Sequence, residues 1–212
     1  NKEYKNLYII PNAIQRNLYQ KPNKNKEVLF IGRLVEEKGC HLYVEAIKSI
    51  VTKFPDWKFR IIGTEKAGQK NLSSSYAKNL INDFKSLGNN TEYLGFISNE
   101  EVSNILKKTS ILIVPSIWQE PFALTALEGV CNGAAVIASK VGGMQEMLED
   151  VGMLISDIDA IKLEKSILSL LENENLLNNY HNKSWLNYKY NQKDIVKIQD
   201  EVRSNIFNKY NY

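Results

Sequence analysis

Two carboxylates, Glu120 and Glu128, bracket the apolar run in 118-WQEPFALTALEGVCNGAAVIAS-139. Paired carboxylates serve either as acid and base or as hydrogen-bond acceptors for hydroxyl groups. Their surroundings decide between these uses. Ser116 ends an apolar strand, Pro121 suits the first turn of a helix, and 122-FALTALEGVCN-132 reads as helix up to Gly133. Glu120 then lies beside a helix N-terminus, where unpaired backbone N–H groups favour anions such as phosphate. A helix beginning near Phe122 puts Glu128 about two turns in, with Thr125 one turn before it on the same side. Phe122, Leu124, Ala126, Leu127 and Val130 are apolar, so Glu128 is a lone carboxylate on an otherwise buried helix. The spacing is equally met by a dipole-favoured cap at Glu120 and a surface residue at Glu128.

A second group of candidates is 32-GRLVEEKG-39. Gly32 allows a sharp turn, after which Arg33 offers a planar fork suited to phosphate and Lys38 a point charge. Two solvated cations beside Glu36 and Glu37 would look the same. There is no Gly-x-x-x-x-Gly-Lys-Ser/Thr, which argues against a P-loop nucleotidase. The pair Gly142–Gly143 allows either close approach of backbone to a ligand or a turn into a helix. The loop after Gly95 could present backbone groups to a planar ring. Only two histidines occur, His41 and His181, without metal-ligand companions, and both read as structural. Trp57 and Trp185 read as packing residues, and Trp118 as a wall beside the glutamates.

These residues need a scaffold that gathers them. The short apolar runs 28-VLFIG-32, 59-FRIIG-63, 92-EYLG-95, 111-ILIVPS-116, 135-AVIAS-139 and 153-MLI-155 read as strands buried on both faces. Helical periodicity fills 40–54, 76–88, 98–109 and 122–132, and three helices follow from about residue 157. Ser98 and Glu101 form a capping-box signature. The segment 64–75 is polar and reads as a loop. Strands alternating with helices predict an α/β doubly wound fold with a parallel sheet. Each candidate motif falls at the carboxyl end of a strand, where such sheets bind ligands.

The chain has 212 residues, 43% hydrophobic, enough for one large domain or two small ones. Net charge is +3, with lysines interleaved among acids, which argues against nucleic acid. Cys40 and Cys131 lack metal-ligand spacing and read as unpaired thiols of a reducing cytoplasm. No apolar run reaches the ~20 residues that span a bilayer, and no signal segment opens the chain. The first residue is not Met, and 4-YKNLYIIPNAI-14 is a short strand-like pattern running into Pro-Asn, as in a piece of a longer protein.

The segments 10-IPNAI-14, 28-VLFIGRLVEEKG-39, 94-LGFISNEEV-102, 114-VPSIWQEPFALTALEGVCNGAAVIAS-139 and 142-GGMQEML-148 together resemble the C-terminal, donor-binding half of a GT-B-fold retaining glycosyltransferase of family 4, the glycosyl transferases group 1. The Glu-x₇-Glu pair joined to Gly-Arg-Leu…Lys-Gly carries most of that resemblance. It implies a Rossmann-like sheet over 15–189, an interdomain hinge over 1–14, and a C-terminal helix over 190–212 that crosses back to an N-terminal acceptor domain preceding residue 1. It implies transfer of a sugar from a UDP- or GDP-linked donor in cell-surface polysaccharide, lipopolysaccharide or glycolipid synthesis. The acceptor would be a glycan or lipid-linked saccharide held mainly by the N-terminal domain. No metal or cofactor is implied, and the full protein would be cytoplasmic with peripheral association at the inner membrane face. Arg33 and Lys38 would hold the diphosphate and stabilise the leaving group. Glu120 would contact donor-sugar hydroxyls, the N–H groups of Phe122, Ala123 and Leu124 would hold sugar and phosphate, and Glu128 would accept from the ribose. Phe96 and Ile97 would hold the base, while Gly32, Gly63, Thr64 and Thr125 line the cleft. Ala123 stands where the family often has Gly, and the hinge reads Pro-Asn-Ala where Pro-Asn-Gly is common. The resemblance also implies an uncovered apolar face on the C-terminal helix.

Overall fold

A computed structural model describes residues 8–210. Six strands form one all-parallel sheet: β1 Asn25–Ile31, β2 Lys58–Ile62, β3 Thr91–Gly95, β4 Thr109–Val114, β5 Ala135–Ser139 and β6 Met153–Ile155. Their spatial order is β3-β2-β1-β4-β5-β6, so the chain reverses direction of growth between β1 and β4. Each expected strand is present.

The strands are apolar on both faces because helices cover both. On one side Val28, Phe30, Phe59, Ile61, Ile111 and Ile137 pack against α1 (Cys40–Ile47), α2 (Ser75–Ser86), α6 (Ala160–Leu171) and α7 (Glu174–Leu186). On the other side Leu29, Ile62, Leu112, Val136 and Ala138 meet α3 (Asn99–Lys108), α4 (Leu124–Cys131) and α5 (Met144–Leu148). That alternation is what parallel strands require when both faces are dry. The Ser98 capping box is formed, the hydroxyl accepting from Glu101 N–H and the Glu101 carboxylate accepting from Ser98 N–H.

Two expectations change. The apolar pattern before the hinge lies partly at residues 1–7, outside the described residues, and its remainder over 8–14 forms no strand. Instead Ile14 N–H donates to Tyr190 O at 3.0 Å. The helix bearing Glu128 starts at Leu124, capped by Ala123, with Pro121 three residues outside it. Glu128 is therefore just over one turn in. The final helix, α8 (Gln192–Tyr210), buries Ile195 but leaves Val196, Ile198, Ile206 and Phe207 exposed, apolar surface spread around the helix rather than gathered on one stripe.

Candidate functional site

At the carboxyl ends of β1, β2 and β4 three hollows lie side by side, and Ile31, the last residue of β1, lines all of them. This is the point where strand order reverses, the place in open α/β sheets where a crevice forms.

The central hollow, about 230 Å³, is walled by Gly32, Lys38, Ser116, Glu120, Phe122, Ala123, Leu124 and Thr125. Its chemistry centres on Glu120, which is 7% exposed. One carboxylate oxygen accepts from Lys38 Nζ, from Trp118 Nε1 at 3.0 Å and from Ser116 Oγ at 3.4 Å. Lys38 also lies over the Trp118 ring, 5.4 Å from its centroid. Lys38, expected on the diphosphate, and Glu120, expected on the donor sugar, are thus joined to each other. Lys38 arrives there because a single 3₁₀ turn, Glu36–Lys38, follows β1. That turn is tied to the Glu120 loop by Ile117 N–H donating to Glu37 O at 2.9 Å.

The glycine pair explains how Glu120 is held. Gly142 has φ +51°, and a Cβ there would come within 2.2 Å of Glu120 O. Gly143 N–H donates to Glu120 O at 2.8 Å, and Gly142 N–H to the Gln119 side chain at 3.0 Å. Of the two uses open to these glycines, close approach is realised, but to the Glu120–Pro121 backbone. Gly63 makes a similar approach between strand ends: its φ is +131°, and a Cβ would meet Gly32 O at 1.9 Å.

Behind Glu120 the chain turns into α4 without a side-chain cap. The N–H groups of Phe122, Ala123 and Leu124 donate to no described residue. These residues line the hollow that also holds Lys38, an arrangement in which a helix N-terminus can receive an anion.

The hollow of about 350 Å³ contains Glu128 and Thr125 from α4, Asn99 and Ser103 from α3, and Gln15 to Leu18 from the entering chain. Thr125 and Glu128 share a helix face, as their spacing predicts. The Glu128 carboxylate is half-buried and has no described hydrogen-bond partner, and burial pushes its pKa up. A desolvated, unpaired carboxylate is a costly feature that a hydroxyl-bearing ligand would satisfy.

The third hollow, about 180 Å³, is mostly apolar, its polar side chains being Arg33, Thr64 and Asn99, and is formed with Ile62, Gly63, Ala67, Phe96 and Ile97. Phe96 is 49% exposed here, and the Arg33 guanidinium is exposed and pairs with no described residue. Thr64 is buried and turns its hydroxyl to Lys66 O at 2.8 Å, so it offers a wall and no free donor. All thirteen site candidates from the sequence therefore fall on this one edge of the sheet. Among the described residues no cluster of three His, Cys, Asp or Glu side chains is placed to hold a metal ion.

The histidines stand elsewhere. His41 Nδ1 is 3.1 Å from the Tyr76 hydroxyl. His181 is buried with Nε2 2.9 Å from Ser110 O, and burial lowers its pKa to about 4. Both thiols are buried and unpaired. Residues that sequence reasoning missed are Ser116 and Gln119, which bind the Glu120 loop, and Arg16, which lines the Glu128 hollow.

Residues 12–185 match the family described as Glycosyl transferases group 1. The chain is 27% identical over 201 residues to the lipopolysaccharide 1,2-N-acetylglucosaminetransferase of Salmonella typhimurium, covering 93% of this chain and 49% of that protein. The chain spans about half the length of the curated relatives it matches. The Anabaena protein HepE, solved in complex with UDP, superposes with a TM-score of 0.71 at 21% identity, over 86% of this chain and 49% of that one. The C-terminal domain of a glycosyl transferase group 1 family protein from Francisella tularensis superposes at 0.68 with 24% identity, over 86% of this chain and 96% of that one. No helix among the described residues is long and apolar enough to cross a membrane. With the crevice, the cation pair and the two glutamates arranged on a GT-B sheet of this order, the chain belongs to the glycosyl transferases group 1 family, as a C-terminal GT-B domain.

Proposed function

We propose that the chain is the donor-binding domain of a retaining, family 4 hexosyltransferase that uses a nucleoside-diphosphate sugar. The observation that carries this is the order of chemistries along one groove. An apolar hollow fits a planar base, a desolvated carboxylate at Glu128 fits ribose hydroxyls, free amides at the α4 N-terminus with Arg33 and Lys38 fit a diphosphate, and Glu120 fits sugar hydroxyls.

The reaction breaks the bond between the sugar anomeric carbon and the diphosphate oxygen, so one further negative charge develops on the departing nucleoside diphosphate. Arg33 and Lys38 supply cations where that charge develops, so no acid has to protonate the leaving oxygen before the bond breaks, and the proton released by the acceptor hydroxyl as the new bond forms passes to the departing diphosphate. Neither glutamate has to act as acid or base. Glu120 holds Lys38 in readiness before the donor arrives, and donor entry exchanges that pairing for contacts to sugar and phosphate. No cofactor or metal takes part in this reading.

The relative that builds lipopolysaccharide and the neighbour that binds UDP support a UDP- or GDP-sugar donor and a cell-surface glycan or lipid-linked acceptor. The acceptor would be bound by a domain N-terminal to this one, docked on the exposed faces of α8 and Trp118, with the enzyme working at the cytoplasmic face of the membrane. The alternatives, a nucleotide-sugar epimerase or a non-catalytic nucleotide module, lack support: no histidine lies in the groove, and every expected charged residue is present. In the full-length enzyme, Arg33→Ala should lower the sugar-transfer rate by about 10²-fold or more, the loss of one charged transition-state contact. Unchanged turnover would remove Arg33 from leaving-group stabilisation.

A further inference from the structure

The wall of the Glu128 hollow is built by a segment with almost no secondary structure, residues 14–18, which must be fixed by side chains if the hollow is to have a defined shape. One side chain dominates. Arg16 Nε donates to Cys131 O at 2.8 Å, Nη1 to Trp185 O at 2.7 Å and Nη2 to Ser184 O at 3.3 Å. The guanidinium is stacked over Trp185 at 4.1 Å and lies 4.7 Å from the Tyr188 ring centroid. The Tyr188 hydroxyl in turn lies 2.7 Å from Ile14 O and 2.9 Å from Tyr190 O, two acceptors for its proton.

Cys131 is the last residue of α4, the helix that carries Thr125 and Glu128, and Ser184 and Trp185 are in the last turn of α7. A planar cation set against the carbonyl ends of two helices satisfies orphan acceptors that neither helix can satisfy itself. Lysine could not do this, since one ammonium lacks both the fork and the flat face for stacking. The clamp therefore ties the entering chain, at the rim of the hollow, to the helix bearing the candidate ribose ligand.

We propose that Arg16 is a positioning residue for the nucleotide half of the groove: it holds segment 14–18 against α4 so that Glu128 faces a preformed wall. This rests on the nucleotide reading above. The role is a matter of affinity at the Glu128 end, separate from the phosphate chemistry of Arg33 and Lys38.

The test is isothermal calorimetry on the 212-residue chain with UDP and GDP, using Arg16→Ala, Arg16→Lys and each of these combined with Glu128→Gln. Arg16→Ala should weaken the nucleotide that wild type binds by about tenfold, with Arg16→Lys nearly as weak. On the Glu128→Gln background the same changes should cost less than about threefold, because the wall then positions a ligand that has lost its charge. A purely stabilising Arg16 would instead give the same loss on both backgrounds, or no loss wherever the variant is folded, and either result overturns the inference. Should Arg16→Ala not fold, the Arg16→Lys pair alone decides by the same comparison. Absence of nucleotide binding by wild type would overturn the nucleotide reading itself, which the variant comparison does not address.

Discussion

The Lys38–Glu120 pair predicts an asymmetry between two substitutions that each remove one partner. The Glu120 side chain is 9% exposed and that of Lys38 22%, with Lys38 opening onto the groove. Lys38→Met leaves a buried carboxylate whose remaining donors are Trp118 and Ser116. Removing one partner of a buried pair costs about 3–5 kcal/mol, and the two neutral donors offset part of that, leaving roughly 2–3 kcal/mol. Glu120→Gln keeps an acceptor oxygen and leaves an ammonium that can swing into water, which should cost about 1 kcal/mol or less. For a chain of this size that means Tm falls by about 4–12 °C for Lys38→Met and about 2–4 °C for Glu120→Gln. The double variant buries no charge and should lie within about 1 kcal/mol of Glu120→Gln, so the two losses are not additive. Urea unfolding with all four proteins gives the cycle directly, provided the m-values agree. Equal losses for the single variants, or a double variant equal to their sum, would refute the buried-pair account.

Two titrations follow from the other polar groups. Burial raises the Glu128 pKa, so ionising it opposes folding: that cost is absent well below 4.5 and grows as pH rises through the folded value. Glu128→Gln should therefore raise Tm at pH 7 while weakening nucleotide binding by roughly 1.5–3 kcal/mol, and wild-type affinity should fall on acidification as the variant's does not. A Tm unchanged at pH 7 would contradict the burial argument. His181 has the opposite sense: its pKa is lowered from 6.5 to about 4, so its neutral form favours folding above 6.5 and that advantage is lost as pH drops toward 4. The fall corresponds to roughly 3 kcal/mol, and the pH-dependence of urea midpoints should flatten over that window in His181→Gln.

Much of this architecture was legible in the chain because the central strands are short and buried on both faces, as in 28-VLF-30, 111-ILIV-114 and 135-AVIAS-139, the pattern of a helix-covered parallel sheet. The Ser98–Glu101 box was legible because capping is local. The start of α4 was not: Pro121 marks a helix entry, yet the Glu120–Pro121 backbone is drawn off by Gly142 and Gly143, more than twenty residues away. The Lys38–Glu120 contact joins residues 82 apart, and motif reading had sent them to different parts of a ligand. Arg16 left no signal at all, since its acceptors are main-chain carbonyls of two helix ends whose sequence carries no mark of it. Local pattern located the groove; long-range packing set how its residues are held.

Calorimetric titration of the 212-residue chain with UDP, GDP and ADP tests the central claim most directly. The account predicts one-site binding of at least one of them, weakened by Arg33→Ala and by Glu128→Ala alike, because the two substitutions lie at different hollows of one groove. Failure of all three to bind a folded chain, or binding indifferent to both substitutions, would contradict it.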